Sequence, residues 1–165
     1  MIELTDYESE FIGSFSQTYN LLRQGCLMIH PSVYRITLHG SRGPAGGCRP
    51  DSDIDLALHV RHDQLPSVCS FADFLRQVLL TTLDEWNGKV KLDLAAVFDR
   101  SDCGLKCFDQ GEWDENVCTS KGVDCLGIYK IQEGFDGFVS GPASEVRMMY
   151  PFLTIWRRLG HEPKI

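Results

Sequence analysis

The sequence predicts an α+β domain, a small β-sheet flanked by helices, and three observations carry that expectation. Segments with apolar residues at helical spacing lie on either side of short β-branched runs. Those runs alternate residue by residue, as half-buried strands do. At 165 residues, 43% apolar and 24% charged, the chain has the composition of an ordinary globular protein and the length of one domain with one good core.

The first element is a helix. Thr5 to Glu8 fits a capping box. Phe11, Ile12, Phe15, Tyr19 and Leu22 follow at helical spacing, and Gly25 is the stop. Val33 to Leu38 is a β-branched, apolar strand that runs straight into Gly40-Ser41. Gly43 to Pro50 reads as a loop or broken helical turn. Asp53 to Val60 is a second strand, with Asp53, Asp55 and Ala57 on the site face and Ile54, Leu56 and Leu58 on the core face. Ser70 to Trp86 is an amphipathic helix capped by Ser70 and striped by Phe71, Phe74, Leu75, Val78, Leu79 and Leu83, with Gly88 ending it. Lys89 to Phe98 is a third strand, with Leu92 and Leu94 opposite Lys91, Asp93 and Ala95.

Beyond it the signal weakens. Gly104 to Gly141 is rich in Gly, Asp and Cys, and within it Leu126 to Gln132 reads as a short strand or a helical turn. Pro142 to Leu159 opens like a helix that turns Val146, Met149, Leu153 and Trp156 to the core, with Pro151 kinking or splitting it. Met148, Met149, Tyr150, Phe152 and Trp156 suit either a core or a partner surface, and their helical spacing favours the core.

Several classes are disfavoured. The first ten residues carry Glu3, Asp6, Glu8 and Glu10, without the cationic flank and apolar centre of a secretory signal. No apolar run approaches the roughly 18 residues that span a bilayer. The expectation is a cytoplasmic chain with no membrane partner. Seven cysteines, an odd number, argue against a disulfide framework. Cys103, Cys107, Cys118 and Cys125 cluster, but without the tight C-x₂-C knuckles of a zinc site, so buried thiols are the better reading. The net charge is −7, from 23 acidic and 16 basic side chains, with no dense Lys/Arg run. Free nucleic acid is therefore a poor partner, because gripping phosphates requires a basic face.

One constellation carries chemistry. A Gly-Ser turn closing an apolar strand can offer backbone N–H groups and a hydroxyl to phosphate. Beyond Ser41 and eleven intervening residues come Asp53-Ile54-Asp55, whose two carboxylates leave a strand on one face and can hold a divalent metal. Asp93 sits inside an apolar strand, where a carboxylate is costly unless paired or bound to metal.

Gly40-Ser41-Arg42, the spacer, Ser52-Asp53-Ile54-Asp55-Leu56 and the later Leu92-Asp93-Leu94 together resemble the nucleotidyltransferase superfamily that includes the DNA polymerase β palm. Within it they are most similar to the minimal, antitoxin-type nucleotidyltransferases. The resemblance covers residues 30 to 98 and plausibly the preceding helix, and His39 departs from it mildly, standing where an aliphatic or aromatic residue is usual. It implies a small mixed sheet of palm type with its core at 1–98. It does not cover 99–165, which is longer than the tail usual on the minimal enzymes and is expected as an extension packed on that core within the same domain. The resemblance further implies two Mg²⁺ ions, or Mn²⁺, held by Asp53, Asp55 and Asp93, with Asp93 nearest the acceptor. Gly40 and Ser41 would meet the phosphates of a nucleoside triphosphate. Arg42 and Arg49 flank the loop and would neutralise triphosphate charge, although arginines in polar loops are as often simply solvated.

The implied reaction transfers a nucleoside monophosphate, AMP from ATP first of all, to an acceptor hydroxyl and releases pyrophosphate. Family members of this kind pair with a small helical toxin whose tyrosine they modify, so a side chain of a helical partner protein is the expected acceptor. Two other readings fit the same residues: an antibiotic-modifying transferase, and a nucleotide-binding or stoichiometric antitoxin-like protein without turnover. Lys91 shares the face of Asp93, for an ion pair or a substrate contact, and His39 at the strand end reads as a packed or supporting residue rather than a ligand.

Overall fold

The computed structural model describes residues 1–61, 71–100, 125–140 and 149–159. In chain order its elements are β1 (Ile2–Glu3), α1 (Ser9–Ser14), α2 (Ser16–Gln24), β2 (Met28–Ile29), β3 (Val33–His39) and β4 (Ile54–Val60). They continue with α3 (Phe71–Leu83), β5 (Leu92–Asp99), β6 (Leu126–Gln132), β7 (Phe135–Phe138) and β8 (Leu153–Arg157). Six strands make one mixed sheet in the order β7-β6-β5-β4-β3-β8, while β1 and β2 pair separately. The expected α+β class with a mixed sheet is what the chain adopts.

The direction of each strand follows from its connection. β3 and β4 are antiparallel, and residues 40–53 join them at one end of the sheet. β4 and β5 are parallel, a pairing that needs a crossover, and α3 lies within it. α3 turns Leu75, Val78, Leu79 and Thr82 inward.

Both faces of the central strands are covered. On one side Phe11, Leu22, Ile36, Leu56, Leu79 and Ile155 belong to the main core. Ala57, Ala95, Val97, Leu126, Ile128 and Phe152 form a second apolar cluster. Strands buried on both faces read as near-continuous apolar runs, which is why β4 and β5 are so apolar after their aspartates. Ala57 shares a face with Asp55, but it is buried in that second cluster. The site face is polar only at its end.

Three elements differ from the sequence expectation. The first helix is two helices, broken at Phe15, whose φ of −131° and ψ of 48° are not helical. Its capping box does not form. Glu8, rather than Thr5, precedes α1 and makes no side-chain cap, and the Glu8 N–H instead donates to the Ile155 carbonyl at 2.8 Å. Leu153–Arg157, expected to be helical, is the strand β8. It pairs antiparallel with β3, Arg35 opposite Arg157 and Leu38 opposite Leu153, and so satisfies backbone groups that β3 would otherwise leave bare.

The described strands that follow β5 join the same sheet, β6 and β7 beyond β5 and β8 beyond β3. Leu126–Gln132, which the sequence left between strand and helical turn, is a strand. Phe98 lies opposite Gly127, and a Cβ on Gly127 would sit 2.0 Å from the Phe98 ring, so only glycine lets that ring lie across β6. Met149, Phe152 and Trp156 are buried, as core residues. Ser70, Cys103, Cys107, Cys118, Pro142, Val146 and Met148 lie outside the described residues, whereas Cys125 is buried. Among the described residues, no helix is long and apolar enough to cross a membrane.

Candidate active site

The antiparallel β3–β4 pair and the parallel β4–β5 pair bring the end of β3 and the starts of β4 and β5 to one end of the sheet. His39 pairs with Asp55 across β3 and β4, and Asp55 pairs with Asp93 across β4 and β5. Paired residues in register point the same way, so the two carboxylates leave the sheet side by side. β3 exits above them through Gly40 at φ +71°. A Cβ at position 40 would fall 2.1 Å from Asp55 Oδ2, so the Asp55 carboxylate occupies space that only glycine leaves open.

β6 completes the group from the other side. Its antiparallel register puts Lys130 opposite Ala95. The Lys130 ammonium reaches Asp93 Oδ1 at 2.9 Å, with both side chains about a quarter exposed, and Gln132 Nε2 donates to the same oxygen at 3.2 Å. The Asp55 and Asp93 carboxyls lie close enough for a proton to bridge them.

The electrostatics follow from this crowding. Burial, the hydrogen bond to Asp93 and the Asp93 charge push the Asp55 carboxyl up to about 7, against a partial offset from Lys130. Burial also raises Asp93, but the Lys130 ammonium and the hydrogen bonds from Asp55 and Gln132 outweigh it and hold that carboxyl below its usual range. The crowding therefore favours keeping a proton on the pair toward neutrality, with Asp55 raised and Asp93 lowered. Beside it, burial and the Lys130 charge lower His39 against an opposing pull from Asp93, so the ring is neutral. Its Nδ1 is buried and has no hydrogen-bond partner among the described residues.

Asp53 stands apart from that pair. It precedes β4, is exposed, and adds to the charge that raises Asp55. With Pro50, Asp51, Lys89, Val90 and Lys91 it lines an open depression of about 480 Å³. Lys91 thus faces the depression, and the ion pair on Asp93 comes from Lys130. Among the described residues, no group of three or more His, Cys, Asp or Glu side chains is gathered closely enough to hold a metal ion. Asp55 and Asp93 meet; Asp53 lies just before the start of β4, two positions from Asp55.

The loop residues divide in a similar way. Ser41 follows Gly40 directly, half-buried. Arg42 is buried, and its guanidinium is spent on the loop itself: Nε donates to the Ser52 carbonyl at 2.7 Å, and Nη2 to the carbonyls of Arg49 and Pro50 at 3.1 Å each. Its own carbonyl accepts from Thr18 Oγ1 at 2.8 Å. Arg42 therefore ties the end of the loop that leads to Asp53 back to its start at Gly40. Arg49 is exposed, 3.7 Å from the equally exposed Asp51, a pairing that holds it only weakly.

Asp53, Asp55 and Asp93 offer oxygen donors alone, the set that Mg²⁺ and Mn²⁺ prefer. Two carboxyls forced to share a proton are also two ligands whose repulsion a divalent cation would relieve. In donor chemistry the residues present fit such an ion. Lys130 and Gln132 are site residues that sequence reasoning missed. Their only trace is that Lys130 and Gln132 share one face of a segment read ambiguously as strand or turn. No protein-family model, curated protein or solved structure matches the chain.

Proposed function

We propose that this chain is a nucleotidyltransferase that moves a nucleoside monophosphate, AMP from ATP first of all, to an acceptor hydroxyl. The observation that most supports the reading is the in-register pairing of Asp55 with Asp93 beneath the Gly40 turn. Asp53, Asp55 and Asp93 would hold the divalent ions, which supply charge neutralisation of the triphosphate and a more acidic acceptor hydroxyl. The acceptor oxygen bonds to the α-phosphorus as the bridge to the β-phosphate breaks, and pyrophosphate leaves with the electron pair. Asp93 would take the acceptor proton. Gly40 lets the backbone approach phosphate oxygens, and the Ser41 hydroxyl donates to one. Arg42 serves by holding the loop, and the exposed Arg49 is free to turn toward phosphate charge.

The acceptor suggested by an excess of acidic side chains is a protein hydroxyl on a partner chain rather than free polynucleotide. A second reading, nucleotide or partner binding without turnover, is favoured by one observation: Lys130 and Gln132 already occupy Asp93 Oδ1. The discriminating experiment supplies α-labelled nucleoside triphosphates and Mg²⁺ to a lysate of the source cells, with wild type beside Asp55→Asn. Label entering one macromolecular or small-molecule fraction with wild type only is the expected result. Equal labelling by the two proteins, or none with both, would transfer the assignment to the binding reading.

A further inference from the structure

We propose that Lys130 is the resident counter-ion of the carboxylate pair, a positioning residue with which a divalent cation must compete for Asp93. The inference rests on the nucleotidyltransferase reading and deepens it. A carboxylate oxygen has two lone pairs, and those of Asp93 Oδ1 are taken by the Lys130 ammonium at 2.9 Å and by the Gln132 amide at 3.2 Å. A cation coordinating that oxygen displaces one of them. The ammonium is the one that leaves, because like charges repel at this range and its four-carbon stem lets the head swing toward solvent.

The register explains how the lysine comes to be there. Lys130 pairs with Ala95, two residues beyond Asp93 along β5, and reaches back along the strand to the carboxylate. Ala95 is too small to block that path. Lys130 therefore lessens the repulsion between Asp55 and Asp93 when no metal is present, and the same charge lowers the affinity of the pair for metal.

The test is a Mn²⁺ titration of the full chain without nucleotide, following free Mn²⁺ by electron paramagnetic resonance. Wild type is compared with Lys130→Met, Lys130→Gln, Lys130→Arg and Asp93→Asn, each checked for native circular dichroism at the titration temperature. The expected result is that Lys130→Met and Lys130→Gln bind Mn²⁺ about tenfold or more tightly than wild type. Lys130→Arg should stay near wild type, and Asp93→Asn should bind more weakly. If Lys130→Met does not fold, Lys130→Gln carries the same expectation with a polar side chain. Unchanged or weaker binding by the neutral variants overturns the proposal, since a lysine that merely supports the fold gives no gain when removed. Tightening by Lys130→Arg as well overturns it too, because charge would not be the cause. Failure of wild type to bind Mn²⁺, or equal binding by Asp93→Asn, overturns instead the metal-dependent reading on which this one stands.

Discussion

Any side chain at position 40 meets two penalties. The backbone there is left-handed at φ +71°, and the new Cβ would overlap the Asp55 carboxylate. Gly40→Ala should lower stability by about 1–3 kcal/mol in urea unfolding. Because the carboxylate has to rotate away from Asp93, label transfer should fall by about a hundredfold or more, a loss of order 3 kcal/mol in the transition state. Asp55 itself makes a pH prediction. The ordinary value for its carboxyl is 3.8, and folding pushes it up to about 7. Folding takes up a proton between those values, so stability falls as pH rises through that window, and the loss is complete above it. The depressed Asp93 acts below 3.8 and leaves the window to Asp55. Relative to wild type, Asp55→Asn should gain about 1–2 kcal/mol between pH 5 and pH 8 after allowance for solvent screening. A urea-midpoint difference that is the same at both pH values would show that the two carboxyls are not crowded. The aspartates were legible in the sequence because a charge in an alternating apolar strand is conspicuous. Lys130 and Gln132 were not, since their meaning depends on the β5–β6 register, a pairing between segments far apart in the chain.

At the scale of elements, the connection between β3 and β4 is held by a side chain more than by secondary structure. Arg42 supplies three hydrogen bonds to carbonyls of its own loop from a buried position. Arg42→Ala strands those acceptors and should cost about 2–3 kcal/mol in urea unfolding. Unchanged stability with a raised KM for nucleotide would place the guanidinium on phosphate instead. Sequence reading located this loop by its glycines and prolines but could not see the tie, because an arginine in such a segment looks the same whether it faces solvent or clasps the backbone. The reversal at Leu153–Arg157 has a similar origin. Leu153 and Trp156 sit three apart and suit a helix, yet Thr154 and Ile155 are β-branched, and the open edge of β3 decides in favour of a strand. Local pattern proposed two states and a tertiary partner chose one. The same partner undid the capping box, since the Glu8 N–H that a Thr5 cap would need is bonded to β8.

Across the whole molecule, the last described strand is bound to the first helices. Ile155 is fully buried in the main core, and its carbonyl receives the Glu8 N–H. Ile155→Ala should cost about 2–4 kcal/mol, as deletion of a buried aliphatic side chain does. If the sheet is one cooperative unit, tryptophan fluorescence and far-ultraviolet circular dichroism should give the same urea midpoint in wild type and variant. Separate midpoints would mark β8 as an independently melting edge. The fold class was legible at this scale because helical and alternating segments were distinct over residues 9–98. The placement of β6, β7 and β8 at the two sides of the sheet was not, since edge assignment depends on pairings between distant segments.

The parallel pairing of β4 with β5 also sets an order in time. Asp55 and Asp93 are neighbours in space but 38 positions apart in the chain (93 minus 55), and Lys130 follows a further 37 positions on (130 minus 93). Synthesis delivers the N-terminal part first. During growth the antiparallel β3–β4 unit is available early, the second carboxylate arrives only with the crossover, and the ammonium that offsets the two comes last. A chain that ended between Asp99 and Leu126 would thus carry both aspartates without their lysine, leaving the shared proton or an external cation to offset them.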